Sequence, residues 1–290
     1  MKQLNLFLEL TRLKKPIGYM LLFWPCLWGL TIAYNFSMSI QFFMKYSLLF
    51  FLGAILMRSA GCIVNDILDK NFDSRVERTK NRPIASGDIS IKLGLFYVII
   101  LCAIAFIVLI QFNFFTIILA LASMPLAFTY PLMKRFTYWP QLFLGVTFNY
   151  GLILGWASIN SEISIVPIIF YLGAIFWTLG YDTIYGFQDI KDDEIIGVKS
   201  TSIKFKKNPK LFILLCYLFF IFILTYLGVL MNFNKIYFGG LILVAMHLFI
   251  FQIKNLNTKL SSNCLKIFKS NNFLGLLIFV NLLIAKIITQ

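Results

Sequence analysis

The chain has 290 residues, 60% of them hydrophobic and only 13% charged, with a mean hydropathy of +0.84. A soluble domain of this length needs far more polar surface to cover its core, so a membrane class is what remains. Its 26 Lys and Arg against 12 Asp and Glu leave a net +14, which basic loops facing anionic lipid explain without a nucleic-acid partner.

A spanning helix takes about 20 predominantly apolar residues. By that measure the chain reads as nine spans, at 16–35, 46–66, 93–112, 114–130, 140–159, 165–185, 212–231, 236–253 and 273–289. The third and fourth form one apolar block broken at Gln111-Phe112-Asn113. That block is too long for one crossing and predicts a tight hairpin. The first apolar stretch is too long for a signal-peptide h-region and lacks a cleavage-like end. The five cysteines are scattered without a CxxC pair, and the single histidine, His247, lies in an apolar run. Neither pattern points to a disulfide, a zinc site or histidine catalysis.

Lys and Arg orient these spans. Twenty-two of them fall in the N-terminus and in the loops after spans two, four, six and eight. Lys45, Lys235 and Lys286 lie on the other side, and Arg58 lies within span two. This predicts a multi-pass inner-membrane protein, N-terminus cytoplasmic and C-terminus outside, with its chemistry on the cytoplasmic face. Each of two acidic motifs closes an even-numbered span. A single polytopic domain over 1–290 is therefore expected, with parallel pseudo-repeats at 1–135 and 136–255 and a ninth helix at 272–290.

The first motif, from Gly61, reads GCIVNDILDKNFDSRVERTKNRPIASG. Asp66, Asp69 and Asp73 stand at i, i+3 and i+7, one face of a helix, with Asn65 beside it. Clustered carboxylates repel one another and are costly near lipid. A divalent cation relieves that repulsion, and oxygen-only donors point to a hard ion such as Mg²⁺, which uses one or two carboxylates plus substrate phosphates. The second motif, from Gly180, reads GYDTIYGFQDIKDDEIIGVKST. Asp182, Asp189 and Asp193 again read as one helical face, with Tyr185 on the same side. Nine of the twelve acidic residues lie in these two segments. A merely solvated loop is the plainer reading, but Asp66 and Asp182 each abut an apolar span.

Basic residues accompany the acids: Arg75, Arg78, Lys80 and Arg82 after the first motif, Lys191 and Lys199 within the second. Acids for Mg²⁺ and bases for phosphate oxygens together describe a diphosphate site. Arg58, two helical turns before Asn65 and inside the bilayer, is expected to pair with Asp66 or with an acid of the second motif, in a functional or a purely structural ion pair.

NDxxDxxxD followed by RTKNRPIASG, and then DTxYxxxDxxDDxxxGxKST, resembles the intramembrane aromatic prenyltransferase superfamily. TRLKKPIGYMLLFWPCLWG near the N-terminus and YPLMKRFTYWPQLFLG after span four look like its 4-hydroxybenzoate polyprenyltransferase branch, of bacterial ubiquinone synthesis. The resemblance covers essentially the whole chain. It implies an all-α membrane fold of nine transmembrane helices around a central cavity opening to lipid. It also implies Mg²⁺-dependent ionisation of a polyprenyl diphosphate, with transfer to 4-hydroxybenzoate ortho to its hydroxyl. Carried over by position, Asn65, Asp69, Asp73, Asp189 and Asp193 would hold the Mg²⁺–diphosphate. Asp66, Asp182 and Tyr185 become catalytic candidates, and Arg58, Arg75, Arg78, Lys80, Arg82 and Lys199 substrate-binding ones. Arg135 or Lys134 would take the benzoate carboxylate, with Arg135 favoured for its planar fork. Another acceptor (dihydroxynaphthoate, homogentisate or haem) is the alternative within the superfamily. A cation transporter would place acids at mid-membrane and on both sides, and here Glu162 alone departs from the cytoplasmic face.

Overall fold

Apolar segments in lipid must satisfy their backbone internally, and this chain does so with helices throughout. The computed structural model describes residues 2–289, with no strand among them. Met1 and Gln290, the ends of the expected domain, lie outside the described residues. The helices are α1 (Lys2–Leu10), α2 (Ile17–Ala33), α3 (Ile40–Leu68), α4 (Lys70–Asp73), α5 (Ile91–Leu109), α6 (Phe114–Thr129), α7 (Met133–Phe136) and α8 (Pro140–Asn160). They continue as α9 (Ile165–Gly186), α10 (Ile190–Ile196), α11 (Thr201–Lys204), α12 (Pro209–Leu230), α13 (Lys235–Met246) and α14 (Ser261–Thr289).

Eight helical runs among the described residues are long and apolar enough to cross a membrane: α3, α5, α6 with its continuation to Phe136, α8, α9, α12, α13 with its continuation to Lys254, and α14. The remaining expected span, 16–35, is the 17-residue α2. At 1.5 Å per residue it is about 25 Å long, at the lower end of the roughly 17–25 residues that a spanning helix takes. It lies within the bundle, buried along most of Leu21–Ile32 and packed on α3, α8 and α14. Its crossing with α8 is close because both partners carry glycine: a methyl group on Gly29 would land on the Leu152 carbonyl, and one on Gly155 on the Cys26 carbonyl. Small residues are what allow helix backbones in a membrane to approach this far.

The hairpin at 111–113 is present. Asn113 caps α6 by accepting from the Thr116 amide at 2.8 Å, and its amide nitrogen donates to the Ala157 and Ser158 carbonyls at 2.9 and 3.0 Å, fixing the turn to α8. Two spans are longer than composition indicated. α3 starts at Ile40 rather than 46, and α14 starts at Ser261 rather than 273. Residues 261–272 carry Lys266, Lys269, Ser270 and Asn272, which dilute the hydropathy. Yet Cys264, Ile267, Phe268 and Asn271 are buried at i, i+3, i+4 and i+7, the stripe of an amphipathic helix.

Beyond α13 the helix widens to a π-helical stretch, His247–Lys254, which delivers Gln252 into the core. Tyr217 donates to Gln252 Oε1 at 2.7 Å, and Gln252 and Trp177 donate to Asn271 Oδ1 at 3.1 and 2.8 Å. α9, α12, α14 and the stretch after α13 are thus locked by one polar network. His247 stacks on Phe251 and lies 3.3 Å from Gln252, a packing role as expected. Between α2, α3, α5, α6 and α8 lies a cavity of about 480 Å³, lined mostly by apolar side chains.

Candidate active site

The first motif sits where α3 ends. The helix stops at Leu68, Asp69 takes φ −96°, ψ 4°, and α4 begins at Lys70. The break is shallow, so Asp66, Asp69 and Asp73 stay close to the single face their spacing predicts. All three are buried, at 2%, 1% and 7% exposure. Three buried carboxylates would be untenable alone, and four cations, three of them from distant parts of the chain, answer them.

Arg12 donates to Asp66 Oδ1 at 2.5 Å. Arg82 donates to Asp73 Oδ2 at 2.7 Å and to Asp66 Oδ1 at 3.1 Å, joining those two acids through one guanidinium. Lys134 donates to Asp69 Oδ2, and Arg135 stands 3.8 Å from Asp69 Oδ1 while donating to the Leu68 carbonyl at 2.6 Å. Burial raises the Asp73 carboxyl above its ordinary range, opposed by Arg82 and assisted by the charge of Asp66.

The second motif differs from its expected form. α9 ends at Gly186 and α10 begins only at Ile190, so Asp182, Asp189 and Asp193 do not share one continuous helix. The chain turns through 187–189, and Asp189 becomes the residue that starts α10. That turn carries the motif to the loop after α4, where Arg78 grips Asp189 with both arms of its fork, Nε to Oδ1 at 2.6 Å and Nη2 to Oδ2. Burial first, and the neighbouring charge of Asp189 second, push the Asp193 carboxyl up to about 6, against the pull of Lys134 and Arg78. Lys134 and Arg78 therefore act on both motifs, which the fold has brought to one place. The ring of Tyr185, in the last turn of α9, packs 4.5 Å from that of Phe268.

Not every expected cation joins. Arg75 is exposed and forms no ion pair among the described residues. Lys80 is exposed and bonds its neighbour Glu77 at 2.7 Å. Lys199 donates to the Phe136 carbonyl at 3.3 Å and lies over the Tyr138 ring, tying down α7 rather than meeting an acid. Arg58 pairs with neither expected partner: Asp66 is taken by Arg12 and Arg82, and the Arg58 guanidinium lies 5.4 Å over the Phe148 ring. Lys134 and Arg135, expected on an acceptor carboxylate, are engaged by Asp69 and the Leu68 carbonyl.

Arg12 is the residue that composition and spacing overlooked, because it reads as one more topogenic cation. Its backbone adopts φ +56°, a left-handed conformation uncommon for a residue with a side chain and concentrated at functional sites. The available signal was Asp66 itself, a carboxylate abutting an apolar span, which calls for a paired cation.

No group of three or more His, Cys, Asp or Glu side chains among the described residues is arranged as it stands around a common metal position, since the chain's own cations occupy the carboxylates. The donor set nevertheless suits a hard divalent ion. It is all oxygen, and Asp69 Oδ1 is buried without a hydrogen-bond partner, an acceptor that awaits a cation.

This chain matches the model of the UbiA prenyltransferase family across residues 22–282. It is 41% identical to the 4-hydroxybenzoate octaprenyltransferase of Psychromonas ingrahamii over 96% of both chains. It is also 39% identical to the mitochondrial 4-hydroxybenzoate polyprenyltransferase of Rattus norvegicus, over 99% of this chain and 76% of that one. Its fold is similar to the apo structure of a UbiA homolog from Aeropyrum pernix K1, with a TM-score of 0.76 at 21% identity over 92% and 97% of the two chains. A UbiA homolog from Archaeoglobus fulgidus bound to GPP and Mg²⁺ superposes with a TM-score of 0.71 at 17% identity, over 97% and 99%. With the two acidic motifs met by Arg12, Arg78, Arg82 and Lys134 beside an apolar cavity, and with these likenesses along nearly its whole length, the chain belongs to the UbiA prenyltransferase family.

Proposed function

We propose that the protein transfers a polyprenyl group from its diphosphate to the ring of 4-hydroxybenzoate, ortho to the hydroxyl, at the cytoplasmic face of a bacterial inner membrane. The observation that carries this reading is the continuity of α3. The helix lines the apolar cavity with Gly53, Ala54, Met57, Arg58 and Gly61, and its end presents Asn65, Asp66 and Asp69. One helix thus joins a space suited to an isoprenoid chain to a cluster suited to a diphosphate. Relatives named for 4-hydroxybenzoate, 38% and 41% identical along nearly the whole chain, support the acceptor. The distribution of Lys and Arg supports the orientation.

Asn65, Asp69, Asp73, Asp189 and Asp193 are the oxygen donors that would hold Mg²⁺; that a homolog from A. fulgidus is bound to GPP and Mg²⁺ supports the choice of ion. The ion would neutralise charge building on the diphosphate leaving group. Arg12, Arg78, Arg82 and Lys134, which hold the carboxylates here, are placed to donate to diphosphate oxygens as these arrive. The allylic C–O bond breaks with its electron pair leaving on the diphosphate, a bond forms from the prenyl carbon to the ring carbon, and the displaced ring proton needs a base. Asp182, at the site end of α9, is the carboxylate we assign to polarise the hydroxyl or take that proton. The apolar cavity walls keep water from quenching the prenyl cation.

The test offers membranes containing the protein each acceptor in turn with labelled prenyl diphosphate and Mg²⁺. Product from 4-hydroxybenzoate, lost on chelation, is expected. Product from homogentisate, dihydroxynaphthoate or haem with none from 4-hydroxybenzoate would overturn the assignment.

A further inference from the structure

We propose that Phe268 of α14 is a positioning residue: it holds the Tyr185 ring so that the hydroxyl stands between the two acidic motifs as a donor to the diphosphate. The buried Asn271–Gln252 pair sets the helix register on which this depends. The inference rests on the prenyl-transfer reading above and brings into it a helix, α14, that carries no residue of either motif.

Trp177, Tyr181 and Tyr185 follow one another at i, i+4 and i+8 along one face of α9. α14 runs antiparallel beside them. Trp177 donates to Asn271 Oδ1 at 2.8 Å, and one turn earlier in α14 the Phe268 ring packs against both tyrosines, 5.8 Å from the Tyr181 ring and 4.5 Å from that of Tyr185. Its two partners end differently. Tyr181 is buried, whereas Tyr185 is half-buried and its hydroxyl makes no hydrogen bond among the described residues. Tyr185 lies within electrostatic reach of Arg12 and Arg78, the cations on Asp66 and Asp189. A phenol between those two pairs, with its proton uncommitted, is suited to a diphosphate oxygen arriving between the motifs.

What fixes Phe268 is polar and buried. Asn271 and Gln252 are each 0% exposed in an otherwise apolar bundle, where amides are costly unless their groups are paired. Asn271 Oδ1 accepts from Trp177 and, at 3.1 Å, from Gln252, while its Nδ2 donates to the Phe268 and Ile267 carbonyls at 3.1 and 3.3 Å. Gln252 reaches Asn271 because the helix after α13 widens at His247–Lys254, a departure from α-helical geometry that recurs at functional sites. A buried polar pair of this kind specifies register. Sliding α14 by one turn, about 5.4 Å, would leave Asn271 and Trp177 unpaired and take Phe268 off Tyr185. Trp24 adds a second tie to the same stretch, donating to Asn272 at 2.9 Å.

The experiment is a double-mutant cycle on Mg²⁺-dependent prenyl transfer by the solubilised protein, with Tyr185→Phe, Phe268→Leu and the two combined. Tyr185→Phe removes a hydrogen bond to a charged oxygen and should lower kcat/KM for prenyl diphosphate by about 10- to 100-fold, with the KM for the aromatic acceptor moving less. Phe268→Leu should reproduce most of that loss. In the Tyr185→Phe background, however, Phe268→Leu should change kcat/KM by less than about twofold, because the hydroxyl it positions is gone; independent losses would multiply. A second readout needs no turnover: inorganic pyrophosphate with Mg²⁺ should raise the melting temperature of wild type more than that of either single variant. Asn271→Leu should show the same coupling to Tyr185, and Gln252→Leu, which leaves the Trp177 bond in place, is the milder test should Asn271→Leu not fold. Multiplying losses in the double variant, or wild-type turnover in Phe268→Leu, would overturn the positioning role while leaving prenyl transfer standing. Wild-type turnover in the Asn271 and Gln252 variants would overturn the register role. A wild-type protein that transfers no prenyl group to any acceptor would overturn both readings.

Discussion

Asp69 and Asp193 belong to motifs of similar composition, yet the fold treats them differently. Asp69 is 1% exposed at the end of a 29-residue helix and is clamped by Lys134. Asp193 is half-buried on a seven-residue helix and makes no ion pair among the described residues. The first motif grows from a helix embedded in the bundle, so its charges are desolvated and must be paired internally. The second follows a turn that takes it out of the bundle, so one fork, Arg78 on Asp189, is its tie to the first. The difference teaches that the first motif is prearranged by folding, whereas the second is completed by what binds between them.

That contrast can be broken experimentally. The largest expected effect is on turnover: Asp69→Ala and Asp189→Ala should each lower Mg²⁺-dependent prenyl transfer by about 10²–10³-fold, the scale of removing one preorganised electrostatic group. They should part company in stability. Asp69→Ala strands Lys134 beside a buried helix end and should lower the melting temperature, while Asp189→Ala releases Arg78, whose side chain is already 43% exposed. Equal thermal losses in the two variants would erase the distinction.

Asp66→Asn comes next. It removes the carboxylate shared by Arg12 and Arg82, and a broken buried pair of this kind costs about 3 kcal/mol. Denaturation in mild detergent reads it, and a loss no larger than that of a surface pair would refute the prearranged first motif.

A smaller effect, of opposite sign, is expected at Asp193. Its carboxyl titrates near 6 in the folded protein rather than at the ordinary 3.8, so the native state holds a proton that the unfolded chain has released. Stability contributed by the protonated form is present at low pH and declines as pH rises from about 4 to about 6. In metal-free protein, Asp193→Asn should therefore melt higher than wild type at pH 7.5 and level with it near pH 4, while losing Mg²⁺-dependent turnover. A melting difference independent of pH would contradict the burial of that carboxyl. Smallest of all, Glu194→Gln breaks the surface pair with Lys206 and should shift stability by about 0.5 kcal/mol or less.

Composition and local spacing were enough for the membrane class, for most of the helical segments, for the hairpin at 111–113 and for both acidic motifs with Arg78 and Arg82 beside the first. Those features depend on apolar runs and on residues within a helical turn or two of one another, which a linear reading contains. It did not contain the helical run from Ser261, where lysines and asparagines mask a buried stripe, or the turn that breaks the second motif at 187–189. Nor did it contain the pairings. Arg12 meets Asp66 across 54 residues, Lys134 meets Asp69 across 65, and Arg78 meets Asp189 across 111. Charge alone cannot assign such partners in a chain with 26 cations, because each is decided by which helix ends the packing brings together. Packing likewise leaves Arg58 facing a cavity without a carboxylate, where its place two turns before Asp66 had suggested an ion pair.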